Sequence, residues 1–209
     1  WCERAFAPWG DMEEEMRKHH LPLWTLESHD SLEEFDVIAF SLGYEMAYSN
    51  VLNMLELGNI PLKSCDRGDS LKHLVIAGGT SVYNPEPMAD FLDICIEGEG
   101  EDVDVELLEC YRSAKRRGLG RHAFLLEAAK IPGIYVPSLY EHTYNDDGTI
   151  REIIPLEGAP KTVTKRIVQD MDAAYYPTET IVPSTQIVHD RTVLELFRGC
   201  IRGCRFCQA

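Results

Sequence analysis

The sequence has no long apolar run. No uninterrupted stretch approaches the roughly 18–20 apolar residues that a transmembrane helix requires. Residues 1–10 do not set a basic stretch ahead of an apolar one, so a secretory signal pattern is missing too. Basic side chains are few. Lys and Arg number 20 against 35 Asp and Glu, a net charge of −15 at pH 7. That balance excludes nucleic acid held on a broad basic face, while leaving room for a local basic patch. Repeats and low-complexity segments are absent. The seven cysteines lack the even spacing of a secreted disulfide framework. A reducing, cytoplasmic setting with no membrane partner is therefore expected. What remains is ordinary globular composition, 44 % hydrophobic and 26 % charged, too apolar for disorder at this charge. The 209 residues suit one domain and part of a second. The chain opens on Trp1 instead of methionine and closes just after a cysteine cluster, so a piece of a longer protein is expected.

The first half alternates strand and helix signals. Asp11 suits the start of a short helix through His19 or His20, with Glu13, Glu14 and Glu15 in its first turn and Pro22 beyond its end. Residues 23–26 are a short strand candidate. Residues 37–41 form a continuous apolar run, the pattern of a strand covered on both faces. A helix over residues 44–57 follows, stopped by Gly58. The unit then repeats: a strand at 73–77 running into Gly78 and Gly79, a short helix at 85–91, and a strand at 93–96 closed by Gly98, Glu99, Gly100 and Glu101. Residues 101–117 read as a helix with a stripe of Val103, Leu107, Cys110 or Tyr111, and Ala114, ended by Gly118. Such alternation predicts an α/β fold with a parallel sheet. Residues 134–156 hold two β-like runs around an Asn145-Asp146-Asp147-Gly148 turn, so a hairpin is expected. Over residues 159–183 the pattern weakens, with no helix periodicity, and the stretch reads as a linker with short strands. A strand over 192–197 then leads directly into the cysteines. The predicted organisation is an α/β domain over 1–118, a linker with hairpin over 119–190, and a new unit beginning at 191.

The most specific signal is Cys200-x3-Cys204-x2-Cys207. Three thiolates this close in sequence can converge on one inorganic centre. Three protein ligands on a 4Fe–4S cluster leave one iron open to an external ligand. Gly199 and Gly203 permit a tight loop, and Arg198, Arg202 and Arg205 favour thiolate over thiol. Zinc is the alternative, with a fourth ligand such as His189, although common zinc sites pair two C-x2-C steps and only one is present.

The array, with Phe206 just before its last cysteine, resembles the signature of the radical S-adenosylmethionine superfamily. The resemblance implies that Cys200, Cys204 and Cys207 ligate a 4Fe–4S cluster. It implies that S-adenosylmethionine binds the open iron with Phe206 near its adenine, and that residues 193–197 form the first strand of a partial TIM-like barrel. One electron, from a donor such as flavodoxin or ferredoxin, would give a 5′-deoxyadenosyl radical. The upstream half resembles the Rossmann-like (flavodoxin-like) cobalamin-binding domain that precedes many such enzymes. Ser41, Gly78, Gly79, Gly98, Glu99 and Gly100, each at the carboxyl end of a strand, are the residues this implies for cobalamin. The Asp-x-His-x-x-Gly motif of domains that ligate cobalt through histidine is absent, and the strand it would follow is expected before Trp1. Residues 84–90 and 197–209 together resemble an uncharacterised bacterial family of this kind, whose substrate is unknown.

Two other readings compete. Methylthiotransferases carry the same array and a second cluster, for which Cys2, Cys65 and Cys95 are available here. Alternatively, the α/β domain is a non-enzymatic binding module whose terminal cysteines hold a structural metal.

Overall fold

The computed structural model describes residues 1–179, 186–188, 191 and 193–207. Three apolar runs form β1 (Val37–Ser41), β2 (Leu74–Gly78) and β3 (Ile94–Ile96), paired in parallel in that order. The α/β architecture expected from the sequence is present. The fourth strand, β4 (Ile134–Tyr135), runs antiparallel to β3, with Cys95 opposite Tyr135. The reversal has a simple cause. One crossover helix returns the chain for a parallel strand. Two helices, α3 (Gly100–Arg117) and α4 (Arg121–Ala128), lie between β3 and β4 and bring the chain back to the other end.

Side chains alternate across the strands and feed two cores. On one face α1 (Gly10–His19) and α2 (Tyr48–Leu57) bury Met16, Val51 and Leu55 against Ile38, Val75 and Ala77. On the other, α3 and α4 bury Leu107, Tyr111 and Phe124 against Leu74, Ile94 and Ile96. The α3 stripe is the expected one, with Tyr111 in it and Cys110 only half-buried. Gly118 ends that helix at φ +68°. Residues 119–139 continue the same core, because Phe124, Leu125, Ile134 and Leu139 are all buried in it.

Smaller expectations shift. Residues 23–26 contribute only one bridge, between Trp24 and Ser31. A 3-10 turn, Glu45–Ala47, precedes α2, and residues 85–91 hold one more 3-10 turn, Glu86–Met88. The hairpin consists of β5 (Tyr140–Tyr144) and β6 (Ile150–Pro155) around Gly148 at φ +81°. Glu86 ties it to the sheet: Tyr135 Oη donates to its carboxylate at 2.6 Å and His142 Nε2 lies 3.0 Å away. Residues 193–197 form no ladder with any described residue, and Thr192 lies outside the described residues. Without a neighbouring strand the run has no ladder of N–H and C=O partners, and the Val193 carbonyl accepts from Tyr176 Oη at 3.3 Å instead. No helix among the described residues is long and apolar enough to cross a membrane.

The strand ends opposite the glycine loops are fixed by charge. Asp93 accepts hydrogen bonds from Arg67 Nη1 at 2.8 Å and the Val75 amide at 2.7 Å, and Arg121 Nη1 lies 2.9 Å from its second oxygen. All three side chains are almost fully buried. Removing the carboxylate strands two buried guanidinium groups. Asp93→Ala is expected to cost about 3–5 kcal/mol, read as a lowered denaturant midpoint with unchanged slope.

Candidate functional site

The carboxyl ends of β1–β3 gather the residues singled out from the sequence. Ser41 is exposed and sits in register with Gly78. Beyond them the two loops lock together. Leu42 N–H donates to Gly78 O at 2.7 Å, Ser81 N–H to Leu42 O at 3.0 Å, and Thr80 Oγ1 to Gly43 O at 2.7 Å. Gly79 has φ +107°, and a Cβ there would lie 2.5 Å from Leu42 O. The close approach that Gly79 permits is made by the protein's own backbone.

The same holds after β3. Gly98 has φ +106°, and a Cβ there would stand 2.1 Å from Arg166 O and 2.5 Å from Arg166 N. Residue 166 crosses here as a parallel bridge. Its N–H donates to Glu97 O at 2.8 Å, and Glu99 N–H donates to its carbonyl at 3.0 Å. The segment around Arg166 reads as a linker with short strands in the sequence, which allows an extended stretch here but does not name Gly98 as its partner. Lys165 lies 5.9 Å above the Tyr83 ring on the same side. Gly100 opens α3. Glu99 precedes that helix but makes no side-chain cap; its carboxylate accepts from Val168 N–H instead. Burial raises the pKa of half-buried Glu97 above the usual carboxylate range.

The cysteine loop is open. Cys200, Cys204 and Cys207 are exposed, and Phe206 is 92 % exposed. Gly199 and Gly203 take φ +88° and +59°, and Cys207 N–H donates to Cys204 O at 3.1 Å, making the expected tight turn. The three sulfurs do not meet. Among the described residues no three Cys, His, Asp or Glu side chains are placed to hold a metal. An exposed loop has no packing to hold three sulfurs at one point, and metal–thiolate bonds themselves order such loops. The donor set, three thiols on one short glycine-containing turn, fits a thiolate-held cluster in its chemistry. His189, Asp190, Gln208 and Ala209 lie outside the described residues. Cys2 and Cys65 are exposed, whereas Cys95 is fully buried in β3 and burial pushes its thiol pKa up. These three do not come together as a second cluster would require.

Arg198, expected to favour thiolates, is turned toward carboxylates. It hydrogen-bonds Glu101 and Glu195, the latter at 2.9 Å, and lies 3.4 Å from Glu99. Its guanidinium holds the Glu101 and Glu195 carboxyls below their ordinary range. The local excess of arginine in an acidic chain was visible in the sequence; its partners were not.

A family model described as "Radical SAM proteins, N-terminal" matches residues 1–137. The uncharacterized protein MJ0966 of Methanocaldococcus jannaschii is 28 % identical over 196 residues, covering 92 % of this chain and 34 % of its own length. The chain thus spans about a third of the curated relative it matches. No solved structure matches it.

Two outcomes follow from the crossing at β3. Gly98→Ala places a methyl group against the Arg166 backbone at a strained φ. It is expected to cost about 1–3 kcal/mol and to speed amide exchange at Arg166. Glu97→Gln is expected to raise the melting temperature at pH 7–8. The raised pKa means that folding favours the protonated acid. The wild type therefore loses stability as pH rises through that pKa, and its deficit against the variant should vanish below about pH 4.

Proposed function

The chain belongs to the family of N-terminal regions of radical SAM proteins, and on that premise we propose that it is the leading part of a radical S-adenosylmethionine enzyme. The observation that carries this reading is the single exposed turn bearing Cys200, Cys204 and Cys207 on the same chain as the family-matched α/β unit. Those three thiolates would hold a 4Fe–4S cluster with one iron left for S-adenosylmethionine, and Phe206 would lie along the adenine. When bound, such a cluster supplies the electron that cleaves S-adenosylmethionine to a 5′-deoxyadenosyl radical. The chain's own part is to present the thiolates, position their loop, and carry the largely apolar residues 193–197 into a barrel whose first strand they would form. Val193, Leu196 and Phe197 are more than two-thirds exposed. Radical chemistry needs water excluded, so turnover requires further protein around this loop. An electron donor such as flavodoxin or ferredoxin would be the reductant, and the substrate is a matter for the whole protein.

Cobalamin-dependent methyl transfer is a second reading, favoured by Ser41 and Gly78 side by side at the sheet edge. Gly79 and Gly98 do not fit a corrin, because their open faces are filled by Leu42 and Arg166. Retention of cobalamin by the full-length protein on a desalting column would restore that reading.

The test uses full-length protein purified without oxygen. About four irons per chain are expected, with a paramagnetic signal on reduction that changes when S-adenosylmethionine is added. One zinc and no such signal would instead make the cysteines a structural metal site and the α/β unit a binding module.

A further inference from the structure

The Gly-Glu-Gly-Glu loop after β3 stands where open α/β sheets bind ligands, yet the Glu99 amide and the Glu99 and Glu101 carboxylates are engaged by later parts of the chain. The backbone of Arg166 fills the space above Gly98. The amide of Val168 donates to the Glu99 carboxylate. Arg198, two residues before the first cysteine of the array, reaches back to Glu99 and Glu101. The side chains of Arg198, Glu99 and Glu101 are each only about a quarter exposed, so water screens the contact less than it screens a surface pair. Arg198 also bonds Glu195 at 2.9 Å, which orients the guanidinium from its own segment. A planar guanidinium with five donors suits a set of converging carboxylates, where an ammonium would serve only as a point charge.

We propose that the loop at residues 98–101 is an internal docking site for the cysteine loop, and that Arg198 is the positioning residue that fastens one to the other. Glu99 and Glu101 fix where residues 198–207 leave the α/β unit, and so fix the direction from which the three thiolates approach a cluster. The clause about the cluster rests on the function proposed above. The docking itself does not.

The experiment measures hydrogen–deuterium exchange on full-length protein, metal-free and iron-loaded. Arg198→Ala should raise exchange several-fold at residues 193–199 and at residues 98–101 together, while the middle of α3 stays protected. The pair Glu99→Gln with Glu101→Gln should reproduce this pattern, and Arg198→Lys should retain part of the protection. In iron-loaded protein, Arg198→Ala should keep its iron, since all three thiols remain, but show an altered paramagnetic signal on reduction. Unchanged exchange at residues 98–101 in Arg198→Ala would overturn the docking site, as would a Lys variant no better than Ala. Wild-type protein that takes up no iron would sink the cluster reading instead, and the exchange data would still decide the docking.

Discussion

The carboxylate of Asp93 lies between the guanidinium groups of Arg67 and Arg121, with almost no access to water. Two positive charges and one negative charge are costly to bury unless every donor finds an acceptor. Here the two arginines also grip the backbone. Arg67 donates to the carbonyls of Pro61, Leu62 and Phe91, and Arg121 to those of Gly68 and Lys72. Asp93 also takes the Val75 amide, while its own N–H goes to Val75 O. One knot therefore sets the start of β2 against the start of β3, the loops leading into both strands, and the first residue of α4. With the amino ends of the strands fixed by charge, the register of the sheet delivers Ser41, Gly78 and Ile96 to the opposite edge as a row.

At that opposite edge the chain folds onto itself. Gly79 and Gly98 hold positive φ where a side chain would strike backbone atoms. Each allows two stretches of backbone to touch, the loops after β1 and β2 in one case and a crossing from residue 166 in the other. Glycines in such positions are equally suited to a flat cofactor or to another segment of protein. Only the position of the second segment distinguishes the two uses. Arg166 belongs to a region that reads as a linker with short strands, and local pattern does not say which strand such a segment meets. The consequence for function is that the end of β3 carries the later chain, and through Arg198 it meets the cysteine turn.

Much of the scaffold was readable because its signals are local. Val37, Ile38, Leu74, Val75, Ile94 and Ile96 announce buried strands by composition, and Val103, Leu107, Tyr111 and Ala114 announce a helix face by spacing. The short α4 escaped notice because it has only eight residues between Gly120 and Ala129, too few for a periodic pattern to stand out. The reversed direction of β4 followed from that second helix. The cysteine spacing was the clearest chemical signal, but spacing places thiols on one turn and does not bring their sulfurs together. Convergence needs bonds to a metal or packing from neighbouring strands, and the exposed turn has no such packing among the described residues.

By itself the sequence determined the class of fold, the order of the three parallel strands and of α1, α2 and α3, the turn at Gly148, and the donor set of a candidate cluster. Each of these depends on interactions within a few residues: hydrophobic alternation, a helical stripe, a turn-forming glycine, thiols at short spacing. Only the tertiary structure decided which face of each glycine loop is filled, that Asp93 has two arginine partners, and that Arg198 turns to Glu99 and Glu101. Those outcomes join residues 26 to 99 positions apart. Charge and backbone contacts of that range depend on where the packed core puts each segment, and no local pattern records it.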